Sequence, residues 1–276
     1  MAKITAADVN KLRKQTGAGM MDCKKALVES DGDFEKAIDY LRKKGQKVAA
    51  KRSDREAGEG VVLSKVNNNN TFGAAIMVNC ETDFVAKNED FIAFAQSLLD
   101  AAVENKIASV EELKAFTIEG KTVEDLLTDQ IGKIGEKIEI GGYACKEGAY
   151  VKSYIHPGNR LATVVEMSKS VDGVDVVSKD VAMQVAAMNP VALNKESVSQ
   201  EVIDRELEVA KDQIRQEGKP ENMLEKIAMG KLNKFFKENT LFSQAFIKDS
   251  KINVETYVKQ IDKEMTVSSF IRMSLS

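Results

Sequence analysis

Two stretches of this chain read as β-hairpins built on one plan, each followed by a helix, and that repetition restricts the fold more than any other feature. In the first, Val61, Val62, Leu63 and Val66 lead into Asn67-Asn68-Asn69-Asn70, and residues 72–78 return as an alternating apolar run expected to form a half-buried strand. Asparagine tolerates positive φ, so four in a row suit a reversal. In the second, residues 149–155 run into His156-Pro157-Gly158-Asn159, and residues 161–167 return. Helical stretches follow at 91–103, where Phe91, Phe94, Leu98 and Leu99 recur at helical spacing, and at 181–188. Hairpins alternating with helices predict an α+β fold with antiparallel sheets, and the shared plan predicts two related α+β subdomains.

The N-terminal fifty residues read as three short helices. Thr5 and Asp8 form a capping pair ahead of Val9 and Leu12; Thr16-Gly17 ends the stripe; Asp22 opens a second helix; and Asp31-Gly32-Asp33 precedes a third with Phe34, Ala37, Ile38 and Leu41. Residues 43–60 combine a basic run with glycines and predict a mobile linker, with a solvated helix end as the alternative for the lysines of 43–52. Further on, a helix is expected over 123–134, interrupted by Gly135 before a strand at 138–144. Ile203, Leu207, Ala210 and Ile214 step by four, three and four, a heptad seam. Gly218-Lys219-Pro220 breaks it, and Leu224, Ile227, Ala228, Leu232 and Phe235 supply a returning face, so residues 197–236 predict an antiparallel coiled-coil hairpin. The tail from residue 251 predicts a short helix and a last strand near 270–275.

Chemistry is scarce. The formal charge of −3 argues against a chain whose main affinity is for nucleic-acid phosphates. Cys23, Cys80 and Cys145 are odd in number and lack Cys-x-x-Cys spacing, so they read as small buried hydrophobes rather than a disulfide or zinc framework. His156 is the only histidine, which excludes a multi-histidine metal site. Residues 17–25 carry glycines and lysines without the spacing of a phosphate loop. No apolar run approaches a membrane span, and Met1-Ala2-Lys3-Ile4 lacks a signal peptide's apolar stretch, so a cytoplasmic location is expected.

At the junction after the first hairpin stands Val78-Asn79-Cys80-Glu81-Thr82-Asp83-Phe84-Val85-Ala86-Lys87-Asn88. A phenylalanine there, beside Asp83, is either a plug for the core or a side chain aimed at a partner; aromatic residues serve both uses.

Residues 79–88 of that segment resemble the second signature of the elongation factor Ts family. Leu12-Arg13-Lys14-Gln15-Thr16-Gly17-Ala18-Gly19-Met20-Met21-Asp22-Cys23-Lys24-Lys25-Ala26-Leu27 is similar to its first, and residues 241–249 (LFSQAFIKD) echo a third segment. The likeness extends to about residue 275, and the chain stops at Arg272-Met273-Ser274-Leu275-Ser276 where many members continue, so contacts made by such an extension are not expected here. The resemblance implies a ubiquitin-associated-like three-helix domain (1–54), a first core subdomain (55–140), a second (141–196 with 237–276) and an inserted coiled coil (197–236). It implies a non-catalytic exchange factor that pairs with the GTPase elongation factor Tu, as a heterodimer or a higher assembly of it, and promotes GDP release. No cofactor, metal, membrane, nucleic acid or nucleotide bound by this chain itself is expected. Thr82, Asp83, Phe84 and Val85 match the region that disturbs the partner's magnesium site. Met20, Met21, Lys24, Ile134, Gly135, His156 and Ile247 match partner contacts. A rival reading makes residues 43–52 an RNA-binding surface, against which stand the acidic charge and the lack of stacking aromatics nearby. A ubiquitin-like-binding scaffold would account for the first module alone.

Overall fold

The first and third helices open at side-chain caps, whereas the second follows Gly19 without one. Helix α1 (Ala6–Thr16) opens with a full capping box between Thr5 and Asp8 and closes on Gly17 at φ 68°. Helix α2 (Met20–Glu29) begins two residues ahead of the expected Asp22. Asp33 caps α3 (Phe34–Arg52) by accepting from the Lys36 amide. Val9, Leu12, Cys23, Ala26, Leu27 and Ala37 form their common core. The structure is a computed structural model describing residues 4–275 except 219, 221 and 222; Met1, Ala2, Lys3, Ser276 and the Lys219 of the predicted helix break lie outside the described residues.

The linker expected over 43–60 is corrected in its first part: residues 43–52 are the last turns of α3, the helix end that is the alternative for the lysines, and only 53–58 are without helix or strand. Gly45, Val48 and Ala49 form an apolar stripe among the lysines; Gly45 is buried, and Val48 and Ala49 pack on the first sheet's core. The basic residues flanking that stripe hid its period.

Strands β1 (Glu59–Val66) and β2 (Phe72–Cys80) form the first hairpin, followed by α4 (Asp83–Ala86), α5 (Glu89–Glu104), α6 (Val110–Ala115), a two-residue pair β3 (Thr117–Ile118) and β4 (Lys121–Thr122), α7 (Val123–Ile134) and β5 (Glu139–Glu147). The second hairpin is β6 (Tyr150–Ile155) and β7 (Leu161–Met167), followed by α8 (Val174–Met188). Then come α9 (Gln200–Gln216), α10 (Leu224–Asn239), β8 (Ala245–Phe246), β9 (Asp249–Asn253), α11 (Val254–Val258) and β10 (Val267–Ser274). Both sheets are antiparallel, ordered β1-β2-β5 and β10-β7-β6. In each, a later strand returns to pair with the second strand of the hairpin. The duplication is therefore one of topology as well as sequence order.

The two sheets face each other, with α5 outside one and α8 outside the other. Phe72, Ala74, Ile76 and Val78 of β2 point toward α5, whose Phe91, Leu98 and Leu99 are fully covered. Burying each of these three side chains is worth roughly 1.5–3 kcal/mol. Ala75 packs instead against Val151 and Val164 of the second sheet, while Met77 packs on the cluster of Val62 and Ala162. The half-buried expectation for β2 is thus overturned: every position is buried except Met77, because the second sheet covers the face that water was expected to cover. Small residues permit this approach. A Cβ on Gly73 would come within 2.8 Å of Val151 Cγ1 and 2.9 Å of Val66 Cγ1.

Helices α9 and α10 pack on one another through Ala210, Ile214, Leu224 and Ala228, with Leu207 and Ile227 alongside. Ile214 packs in the cluster with Leu224, whereas Glu206 and Val209 line a hollow with Phe235, Glu238 and Asn239, so the helices run in opposite directions. Lys231 bridges them to Gln213 at 3.1 Å and Glu217 at 3.2 Å. Glu201, Asp204, Arg205, Glu208 and Arg215 face water.

Candidate functional site

Strand β2 stops at Cys80, and the chain turns into α4, a single helical turn. Thr82 caps it, its hydroxyl accepting from the Val85 amide at 3.4 Å. Val85 packs against the first core and Ala86 is buried. Phe84 is 83% exposed, so the plug is Val85 and Ala86 rather than the aromatic ring. Asp83 stands beside it, paired with Lys87 at 2.6 Å, and that hydrogen bond holds its carboxyl below the usual range.

Two carboxylates brace the turn. Glu136 accepts from the Glu81 and Thr82 amides, both at 3.0 Å, and from the Thr82 hydroxyl at 2.7 Å. Glu81 in turn accepts from the Lys137 amide at 2.6 Å and from the Arg52 guanidinium at 2.8 Å. Burial at this junction works to raise the Glu81 carboxyl, but the Lys137 amide and Arg52 outweigh it and hold the group below the ordinary carboxylate range. Lys137 also donates to the Arg55 carbonyl at 3.1 Å. The Cys80 thiol is pushed up to about 12, first by burial and then by the nearby Glu136 charge, so it is inert at neutral pH.

This bracing brings together two groups of residues that the sequence singled out separately. Ile134 ends α7, half-buried against the first core, and Gly135 closes the helix at φ 82°. A residue with a side chain would be strained there. Glu136 follows at once and bonds to Glu81 and Thr82, so the Ile134–Gly135 corner is tied to the start of the turn that carries Asp83, Phe84 and Val85. On the second unit, His156 is exposed beyond the end of β6, its Nδ1 3.1 Å from the Tyr154 hydroxyl. Ile247 is exposed too, its amide donating to Gln184 Oε1 at 2.8 Å. Neighbouring Lys248 pairs with Asp180 at 2.6 Å. Tyr154 and Lys248 line one hollow with Val176 and Met183, so the partner of His156 and the neighbour of Ile247 share a face. Met20, Met21 and Lys24 form a separate exposed patch on α2, extended by Val28 one turn on.

Sequence reasoning missed Arg52, Glu81 and Glu136 as supports, and Gln184 and Asp180 likewise. Fifty-four to fifty-six residues separate Glu81 and Thr82 from Glu136 and Lys137, 29 separate Arg52 from Glu81, and no periodicity connects them. Among the described residues no group of three or more His, Cys, Asp or Glu side chains is placed to hold a metal ion.

The geometry is that of an α+β protein that presents side chains outward on braced corners. A family model described as Elongation factor TS matches residues 81–276. Similar along their whole length are proteins named Elongation factor Ts from Christiangramia forsetii, 59% identical over 275 residues, and from Flavobacterium psychrophilum, 55% identical over 275 residues; each alignment covers 100% of both chains. That from Porphyromonas gingivalis is 51% identical over 274 residues, covering 99% of this chain and 98% of its own. The chain belongs to the elongation factor Ts family, whose members are elongation factors of protein biosynthesis.

Proposed function

We propose that this chain is the nucleotide-exchange factor for a cognate elongation factor Tu: it binds the GDP-bound GTPase, disturbs its magnesium site, and promotes GDP release so that GTP can enter. One observation carries the reading: in a chain of this family, a phenylalanine stands almost free of its own protein on a braced turn. A GTPase holds GDP partly through a magnesium ion whose ligands must stay in register. Burying one phenylalanine in a partner yields roughly 1.5–3 kcal/mol, too little to displace a tightly held nucleotide alone. It is enough to hold a displaced element next to the metal while the remaining interface supplies binding. Coupling is reciprocal, so returning nucleotide expels the factor and the overall equilibrium is unchanged.

In this reading Thr82, Asp83, Phe84 and Val85 act at the magnesium site, with Ile134 and Gly135 beside them. Met20, Met21 and Lys24 grip from the three-helix domain, and His156 and Ile247 from the second subdomain. The three-helix domain is ubiquitin-associated-like, the subdomains divide at residues 54 and 140, and α9 with α10 forms an inserted coiled coil over 197–236. The chain performs no chemical step of its own and works in the cytoplasm. Substoichiometric protein is expected to accelerate release of fluorescent GDP from elongation factor Tu; an unchanged rate at saturating protein would sink the assignment.

A further inference from the structure

A ring carried on one helical turn has no fixed direction unless the turn is held, and four residues of helix cannot hold themselves. Here one Glu136 oxygen takes both amides that open the turn, while its other oxygen takes the Thr82 hydroxyl. Glu81 returns the same service to the Lys137 amide and is anchored by Arg52 from the end of α3. Bonds to a carboxylate are stronger than those between neutral groups. We propose that Glu81 and Glu136 are positioning residues for Phe84: their reciprocal bonds, anchored by Arg52, set the direction in which the ring projects and tie it to the three-helix module and the Ile134–Gly135 corner.

The second unit offers an internal control. There the chain leaving β7 is also tied to the loop before its returning strand, through Lys169 with Asp262 at 3.3 Å and Glu264 at 2.8 Å. That tie presents no exposed ring; Val171 packs on the second core instead.

The role rests on the exchange reading above but has a readout independent of it. The chain contains no tryptophan, so Phe84→Trp reports the turn alone. In that background Glu136→Ala and Glu81→Ala lower the tryptophan anisotropy of the free protein, and Lys169→Met leaves it unchanged. With Phe84 restored, Glu136→Ala lowers the maximal GDP-release rate at saturating protein by about tenfold or more, the scale of one lost bond to a charged group. The half-saturating concentration shifts far less, because the rest of the interface is intact. Arg52→Met has a smaller effect of the same kind, and Arg52→Lys recovers part of it. Circular dichroism checks the fold; should Glu136→Ala unfold, Glu136→Gln keeps the size while losing one acceptor oxygen. Unchanged anisotropy in the glutamate variants overturns the positioning role. So does a loosened turn with an undiminished maximal rate. If the wild-type chain fails to release GDP while the anisotropy result holds, the exchange reading fails and the positioning of residue 84 stands.

Discussion

Three glycines inside helices, Gly45 of α3, Gly132 of α7 and Gly230 of α10, allow backbone entropy to be separated from packing. Each sacrifices about 0.5–1 kcal/mol relative to alanine at a helix interior. A Cβ at Gly230 meets nothing within 4 Å, so Gly230→Ala should recover that stability in full. At Gly132 the added atom would lie 2.9 Å from Gly45 Cα and 3.6 Å from its nitrogen. Both are backbone, and no rotamer change relieves them. Helices α3 and α7 must separate, disturbing the packing of Val48 and Ala49, and overpacking of this kind costs about 1–3 kcal/mol. That outweighs the propensity gain, leaving Gly132→Ala destabilised by roughly 0.5–2 kcal/mol. Gly45→Ala is intermediate. Its Cβ would sit 3.2 Å from the Thr128 carbonyl oxygen and 3.6 Å from Gly132 Cα, which a shift of a few tenths of an ångström relieves. Its net change is expected near zero. Urea unfolding followed by circular dichroism gives the order, and amide exchange assigns each change to α3–α7 or α9–α10. If Gly132→Ala is stabilised as much as Gly230→Ala, the close crossing of α3 and α7 is wrong.

Other consequences are as direct. Phe84→Ala should leave unfolding within about 0.5 kcal/mol of wild type, since the ring is exposed, yet slow GDP release at saturating protein by roughly ten- to a hundredfold, the kinetic equivalent of its burial in a partner; a lost fold would show a core role. Because Glu81 is held below its ordinary carboxylate range, its contribution to stability is complete above the unfolded value near 4.3 and is lost as pH falls through the lower folded value. Amide exchange at Lys137 should therefore loosen only in acid, and loosening on going from neutral to mildly alkaline pH would contradict the assignment. Replacing residues 203–232 by a short Gly-Ser linker should leave the core's thermal unfolding cooperative and GDP release largely intact, because the seam of α9 buries only α10; a core that fails to fold would make the hairpin structural.

Local signals told most where they were strong. Thr5 with Asp8, Gly17, the asparagine reversal and the heptad from Ile203 each fix a boundary by short-range physics, and each element lies where its signal stands. Weaker or shorter signals were overlooked: α6, although Ser109 and Glu112 cap its start, the two-residue strands, and the apolar stripe in the C-terminal half of α3, where three small or β-branched residues stand among basic ones. The face-to-face packing of the sheets was also hidden. An alternating run reports one buried face, and in β2 the second face is formed by Gly73 and Ala75, residues too small to register as apolar yet needed for the close approach. At the site, the exposed ring lies within a recognisable segment, whereas its supports depend on pairings far apart in sequence.

Those supports follow from topology once the register is known. In the first sheet Asn79, near the end of β2, pairs with Glu139 at the start of β5. Antiparallel pairing therefore puts the residues leaving β2 beside those entering β5, and continuing the register brings Glu81 and Thr82 to Lys137 and Glu136. The second sheet repeats the geometry: Met167 at the end of β7 pairs with Val267 at the start of β10, and Ser168 exchanges hydrogen bonds with Thr266 at 3.0 Å in both directions. The same corner thus exists twice. In one copy the polar groups inside the corner are backbone amides taken by a carboxylate, with an aromatic ring left outside. In the other the tie between Ser168 and Thr266 is completed by the half-buried Lys169 ammonium, and the apolar Val171 turns inward. The Lys169–Glu264 pair, whose carboxylate is exposed, is of the kind that contributes about 0–1 kcal/mol and restrains little, whereas a carboxylate taking two amides and a hydroxyl fixes the backbone itself. The difference between the copies therefore lies in how rigidly each corner is held, and the more rigid one carries the exposed ring.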